Sequence, residues 1–83
     1  MQQQIIEHYG YEHQLTKLIE ELRELEEVIL YHTTDEDHMK EEMADVLNLI
    51  EQIADYKGWT YDISSIKDYK IKRQIMRMNG MDL

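Results

Sequence analysis

Residues 12–31 read EHQLTKLIEELRELEEVILY, and the spacing within them decides the fold. Leu15, Leu18, Leu22, Leu25 and Ile29 recur alternately three and four apart, which draws a narrow apolar stripe along one α-helix from about Glu12 to Tyr31.

Working outward, residues 2–9 form a short leading helix that ends near Gly10. Beyond Tyr31 periodicity is lost and Thr33, Thr34, Asp35, Glu36 and Asp37 accumulate. Thr34 is the expected N-cap of the next helix, with the acids after it complementing the positive helix end. That helix carries Met39, Met43, Val46, Leu47, Ile50, Ile53 and Ala54 on one face. It should stop at Lys57, where Gly58 can turn left-handed. Asp62 is the expected cap of a further helix over Ile63 to Met78. The fold class is therefore all-α: an antiparallel helical hairpin plus a third, C-terminal helix, assembling into an oligomeric helical bundle.

Size and composition agree. Eighty-three residues suit one domain, and the absence of proline with only three glycines suits helices throughout. A core of this size supplies only roughly 3–5 kcal/mol, and with no cysteine there is neither a disulfide nor a thiolate zinc site to reinforce it. Self-association into a dimer or tetramer is the expected support. A net charge of −9 disfavours binding to a nucleic-acid polymer. No apolar run is long enough for a membrane span or a signal-peptide core, and the opening Met1-Gln2-Gln3-Gln4 reads as a mature cytoplasmic N-terminus.

Two segments of the hairpin read alike: Glu20-Glu21-Leu22-Arg23-Glu24 and Glu41-Glu42-Met43-Ala44-Asp45. With 18 acids in 83 residues such pairs also arise by chance, so their placement has to decide. At about 100° per residue, Glu21 and Glu24 lie roughly 80° and 140° to one side of the first stripe, and Glu42 and Asp45 roughly 70° and 130° to the same side of the second. Reversing one helix in a hairpin brings flanks of equal sense together. Glu24 and Glu42 are equidistant from Thr33, as are Glu21 and Asp45. Four carboxylates thus converge on one patch. Either a hard cation such as Mg²⁺ or Mn²⁺ sits among them, or their side chains splay into water. Lys67, Lys70, Lys72, Arg73 and Arg77 cluster on the third helix, where they could meet a phosphate chain or form a solvated face.

The strings Lys17-Leu18-Ile19-Glu20-Glu21-Leu22-Arg23-Glu24-Leu25 and Glu41-Glu42-Met43-Ala44-Asp45-Val46-Leu47, an EExxE followed after 17 residues by an ExxD, resemble the MazG-like all-α nucleoside triphosphate pyrophosphohydrolases. All-α dUTPases and phosphoribosyl-ATP pyrophosphatase belong to that superfamily, and the likeness spans about residues 11–78. It implies a Mg²⁺-dependent hydrolase that cleaves the α–β phosphoanhydride of a nucleoside triphosphate, releasing monophosphate and pyrophosphate. On this resemblance Glu21, Glu24, Glu42 and Asp45 match metal ligands, and Glu20 and Glu21 are the candidate catalytic acids. Glu20 would support the attacking water or the ligands themselves. Lys70, Lys72, Arg73 and Arg77 are the candidate phosphate contacts, and Asn48 a candidate contact to the sugar or a metal-bound water. Trp59 and Tyr61 are available to stack on a base, or equally to anchor a core or interface.

Other signals carry less. His8, His13, His32 and His38 read as solvated or capping residues, although Asp35-x-x-His38 resembles half of a di-iron motif. Met39, Met43, Met76, Met78 and Met81 read as fillers of core or interface gaps. Ser64 and Ser65 suit a helix start. The competing readings are a non-catalytic helical assembly protein and a family member that binds nucleotide without hydrolysing it.

Overall fold

A computed structural model describes residues 2–80. Four helices follow one another: α1 (Gln2–Tyr9), α2 (Tyr11–Tyr31), α3 (Glu36–Lys57) and α4 (Thr60–Met78), with no strand among the described residues. Met81, one of the expected gap-fillers, lies outside the described residues.

Local chemistry sets each boundary. Gly10, at φ 94°, closes α1 by donating to the Ile6 carbonyl at 2.8 Å, and its own carbonyl accepts from Gln14 N–H to start α2. Between α2 and α3 the cap is Asp35 rather than the expected Thr34: its carboxylate accepts from His38 N–H at 3.2 Å. Thr33 and Thr34 are spent on the turn, and a charged acceptor suits the positive helix end better than a hydroxyl. Gly58 ends α3 at φ 72°, with its N–H on Asp55 and the Trp59 N–H on Ala54, a complete Schellman motif. The chain leaves that motif already helical. The Trp59 carbonyl accepts from Ile63 N–H, so α4 begins at Thr60, a turn earlier than expected, and Asp62 sits in its first turn instead of capping it.

α2 and α3 form the main packing unit, and their cross-links establish an antiparallel register. Gln14 meets Gln52, and the carboxylates of Glu24 and Glu42 converge; both pairs are equidistant from Thr33. The short α1 adds a member that a hairpin plus one helix omits. It packs against α2 and α3, with Ile6 wholly buried and Gln2 donating to Glu51 at 3.0 Å. α4 packs on α3 alone and buries none of its residues fully.

Within one chain the apolar stripes meet only in part. The seam of α2 is Gln14, Glu21 and Val28, seven residues apart, with Leu18 and Leu25 half-buried beside them. α3 answers with Glu42, Val46, Leu49, Gln52, Ile53 and Ala54. Relative to the leucine stripe, α2 is rotated by roughly 60°, and α3 turns in the same sense. Leu15, Leu22 and Ile29 consequently lie exposed beside Met43, Leu47 and Ile50, Leu22 at 45% and Leu47 at 57%. Leu15, Leu22 and Ile29 with Met43, Leu47 and Ile50 make an open apolar face on one side of the hairpin, while Val46, Ile53 and Ala54 stay in the seam beside the acid-bearing flanks. Of the methionines, Met39 and Met76 are half-buried, whereas Met43 and Met78 are exposed.

Candidate metal and nucleotide site

The rotation carries the acids inward. Glu21 retains 8% of its exposure and Glu42 9%, and oxygens of Glu21, Glu24 and Glu42 lie within 4.8 Å of one another. Three of the four acids that match metal ligands, Glu21, Glu24 and Glu42, are therefore brought together from two helices, and Asp45 lies outside that cluster, near enough for its charge to act on Glu21.

Their electrostatics are unbalanced. Burial raises the Glu21 carboxyl above its ordinary range. The adjoining Glu24 and Asp45 push the same way, against a weaker pull from Lys17. Lys17 lies 3.4 Å from Glu20 and 3.6 Å from Glu21. The hydrogen bond to Glu20, then the charges of Glu20 and Glu21, hold the ammonium above its usual range. His38 Nε2 approaches Glu42 Oε1 at 3.3 Å, so this histidine belongs to the acid site rather than to solvent. Even so, Oε2 of Glu21 and Oε2 of Glu42 are buried without any hydrogen-bond partner. Buried carboxylate oxygens left unpaired are costly, and three converging carboxylates supply the hard oxygen donors that a small divalent cation takes. The residues present fit such an ion.

A cavity of about 510 Å³ opens beside these acids. Glu20, Glu21 and Asp45 line one end, Lys17 and Asn48 the middle, and Gln14, Gln52, His13 and Tyr9 the other. Asn48 thus stands where a group beyond the acids would reach it. The α4 cations do not line this cavity: Lys72 pairs with Asp68 at 3.0 Å, and Arg73 lies over the Tyr69 ring at 5.7 Å. Lys70 and Arg77 are likewise on α4 and absent from the lining. Nor do Trp59 and Tyr61 reach it; the aromatic ring in the wall is Tyr9.

Sequence reasoning gave no role to Lys17 or Gln14 and read His13 and His38 as peripheral. Lys17 and His38 each stand four residues before a buried glutamate, Glu21 and Glu42, a helix-neighbour spacing visible in the sequence once those glutamates are the ones singled out.

Residues 10–74 match the MazG nucleotide pyrophosphohydrolase domain. This chain belongs to that family, whose activity is nucleotide pyrophosphohydrolysis. No curated protein and no solved structure matches the chain. Among the described residues no helix is long and apolar enough to cross a membrane.

Proposed function

We propose that this protein is a Mg²⁺-dependent nucleoside triphosphate pyrophosphohydrolase that cleaves the α–β phosphoanhydride to give a monophosphate and pyrophosphate. The observation that carries the reading is the pair of unpartnered buried oxygens on Glu21 and Glu42, facing a carboxylate cluster in a chain of this family. Glu21, Glu24, Glu42 and Asp45 would hold the metal, with Mn²⁺ as a possible substitute. The bound cation would offset the triphosphate's charge and lower the pKa of a coordinated water.

The chain's own residues supply the rest. Glu20, exposed at the cavity edge and paired with Lys17 through Oε2, would orient the attacking water and accept its proton. Lys17, held protonated by Glu20 and Glu21, is among the described residues the one lysine or arginine lining the cavity and would steady the phosphate chain. Asn48 would orient the sugar or a coordinated water. Buried flanks on Glu21 and Glu42 keep those carboxylates from swinging into solvent, which holds the ligand positions preorganised.

We infer that the working unit is a homo-oligomer. The open face of Leu15, Leu22, Ile29, Met43, Leu47 and Ile50 is apolar surface that a small domain gains by burying against a second copy. Lys70, Lys72, Arg73 and Arg77 would contact phosphate only once assembly brings an α4 to a cavity.

The test is a product assay on ribo- and deoxynucleoside triphosphates with Mg²⁺, resolving monophosphate plus pyrophosphate from diphosphate plus phosphate. Formation of monophosphate and pyrophosphate, abolished by chelator and by Glu42→Gln, supports the reading. Diphosphate plus phosphate as products, or turnover indifferent to Glu42→Gln, overturns it.

A further inference from the structure

The cavity has a second end, and its chemistry differs from the first. Gln14 and Gln52 are both buried, and Gln14 Nε2 donates to Gln52 Oε1 at 2.9 Å across the α2–α3 seam. Gln14 Oε1 lies 2.9 Å from His13 Nδ1. An amide oxygen only accepts, so His13 donates from Nδ1 and the three side chains form a directed relay, His13 to Gln14 to Gln52. The His13 ring in turn stacks on Tyr9, centroids 5.3 Å apart and planes 18° from parallel.

An amide pair in a small core can be replaced by apolar residues of the same shape with little or no loss of stability. The placement of this relay is informative instead. All four residues line the same cavity as Glu20, Glu21 and Asp45. Along α3 the lining runs Asp45, Asn48, Gln52, a rise of about 10 Å from the acids to the relay. That span suits a nucleotide lying with its phosphates at the acids, its sugar by Asn48 and its base at the amides.

The direction of the relay fixes what the base would meet. With its oxygen committed to Gln14, Gln52 has its amide N–H groups left to offer the cavity. Reversing it would require both amides to turn together and His13 to give up its Nδ1 donation. We propose that the Gln14–Gln52 relay, with the Tyr9–His13 rings beside it, is the base-recognition end of this cavity, and that Gln52 selects bases presenting a carbonyl oxygen over those presenting an amino group at the same edge. This rests on the nucleotide reading above and names the substrate class within it.

The decisive experiment compares kcat/KM for UTP against CTP and for ITP against ATP, with Mg²⁺, in wild type, Gln52→Glu and Gln52→Met. Each pair shares its triphosphate and sugar, so general damage to the fold or to metal binding cancels in the ratio. Gln52→Glu keeps the acceptor for Gln14 and removes the donors; Gln52→Met removes both at similar volume and stays informative should the charged variant fail to fold. Wild type should favour UTP and ITP, Gln52→Glu should move both ratios toward the amino base by about tenfold or more, and Gln52→Met should flatten them. A wild-type preference for CTP and ATP, or ratios unchanged in the folded variants, overturns the relay's role while leaving the hydrolase reading intact. Neither binding nor turnover of any of the four by wild type removes the nucleotide reading, and this proposal with it.

Discussion

Glu21 on α2 and Glu42 on α3 face each other across a helix seam, each with one carboxylate oxygen engaged and the other buried without a partner. Lys17 attends Glu21 and His38 attends Glu42, each from the preceding turn of its own helix. The two orphaned oxygens are what remains after Lys17 and His38 have been placed, and they sit in the carboxylate cluster that Glu24 completes.

Cation binding should stabilise the fold directly. Mg²⁺ at one hundred times its Kd would add about 2.7 kcal/mol, several degrees or more in Tm for a chain of this size. Glu42→Gln should remove most of that increment and lower turnover by about 100-fold or more, since a lost ligand costs at least as much as a lost supporting contact. Thermal melts with and without Mg²⁺, paired with the product assay, check both.

The raised Glu21 pKa fixes the sign of a pH effect in cation-free protein. Folding favours the protonated carboxyl, so this group's stabilising contribution is full below the ordinary carboxylate range and is lost as pH rises through the raised value. In chelator, wild type should lose stability relative to Glu21→Gln as pH climbs from about 4 to 7. Melts of the two proteins across that range, compared at each pH, measure it.

The apolar face should govern association rather than subunit folding. Leu22 and Leu47 are both exposed in the single chain, so Leu22→Lys and Leu47→Lys should leave the helical circular dichroism spectrum intact and shift the protein to monomer. Sedimentation velocity reads the change, and retained self-association would place the contact elsewhere.

Ile6 ties α1, and with it Tyr9 at the far wall of the cavity, to the rest of the fold. Ile6→Ala should cost about 2–5 kcal/mol, a large share of the stability of so small a domain. Denaturant unfolding gives the number, and amide exchange should show α1 loosening before α3.

Gly58→Ala tests the helix stop. A Cβ there meets nothing within 4 Å, so the penalty is the left-handed backbone alone, about 1–2 kcal/mol. A chemical denaturation midpoint lowered by that energy divided by the slope, with the slope itself unchanged, is the expected outcome.

Much of this was legible in the chain itself. Helix period, the glycine stops at Gly10 and Gly58, and the acid motifs depend on residues near each other in sequence, so local propensity and spacing were sufficient. The approach of Glu21 and Glu24 to Glu42 followed as well, because a short loop forces an antiparallel pair and equal-sense flanks must then meet, whereas Asp45 stands outside that cluster. What the sequence could not determine was the rotation of each helix about its own axis. An apolar stripe can be buried against its own hairpin or left for another surface, and the gain in buried area is the same in kind. Only the tertiary packing, with α1 laid across α3 and Ile6 filling the core, decided that Leu15, Leu22 and Leu47 face outward and Glu21 and Glu42 inward. The same rotation set Gln14 against Gln52, two residues 38 apart in the chain whose hydrogen bond no local pattern announces.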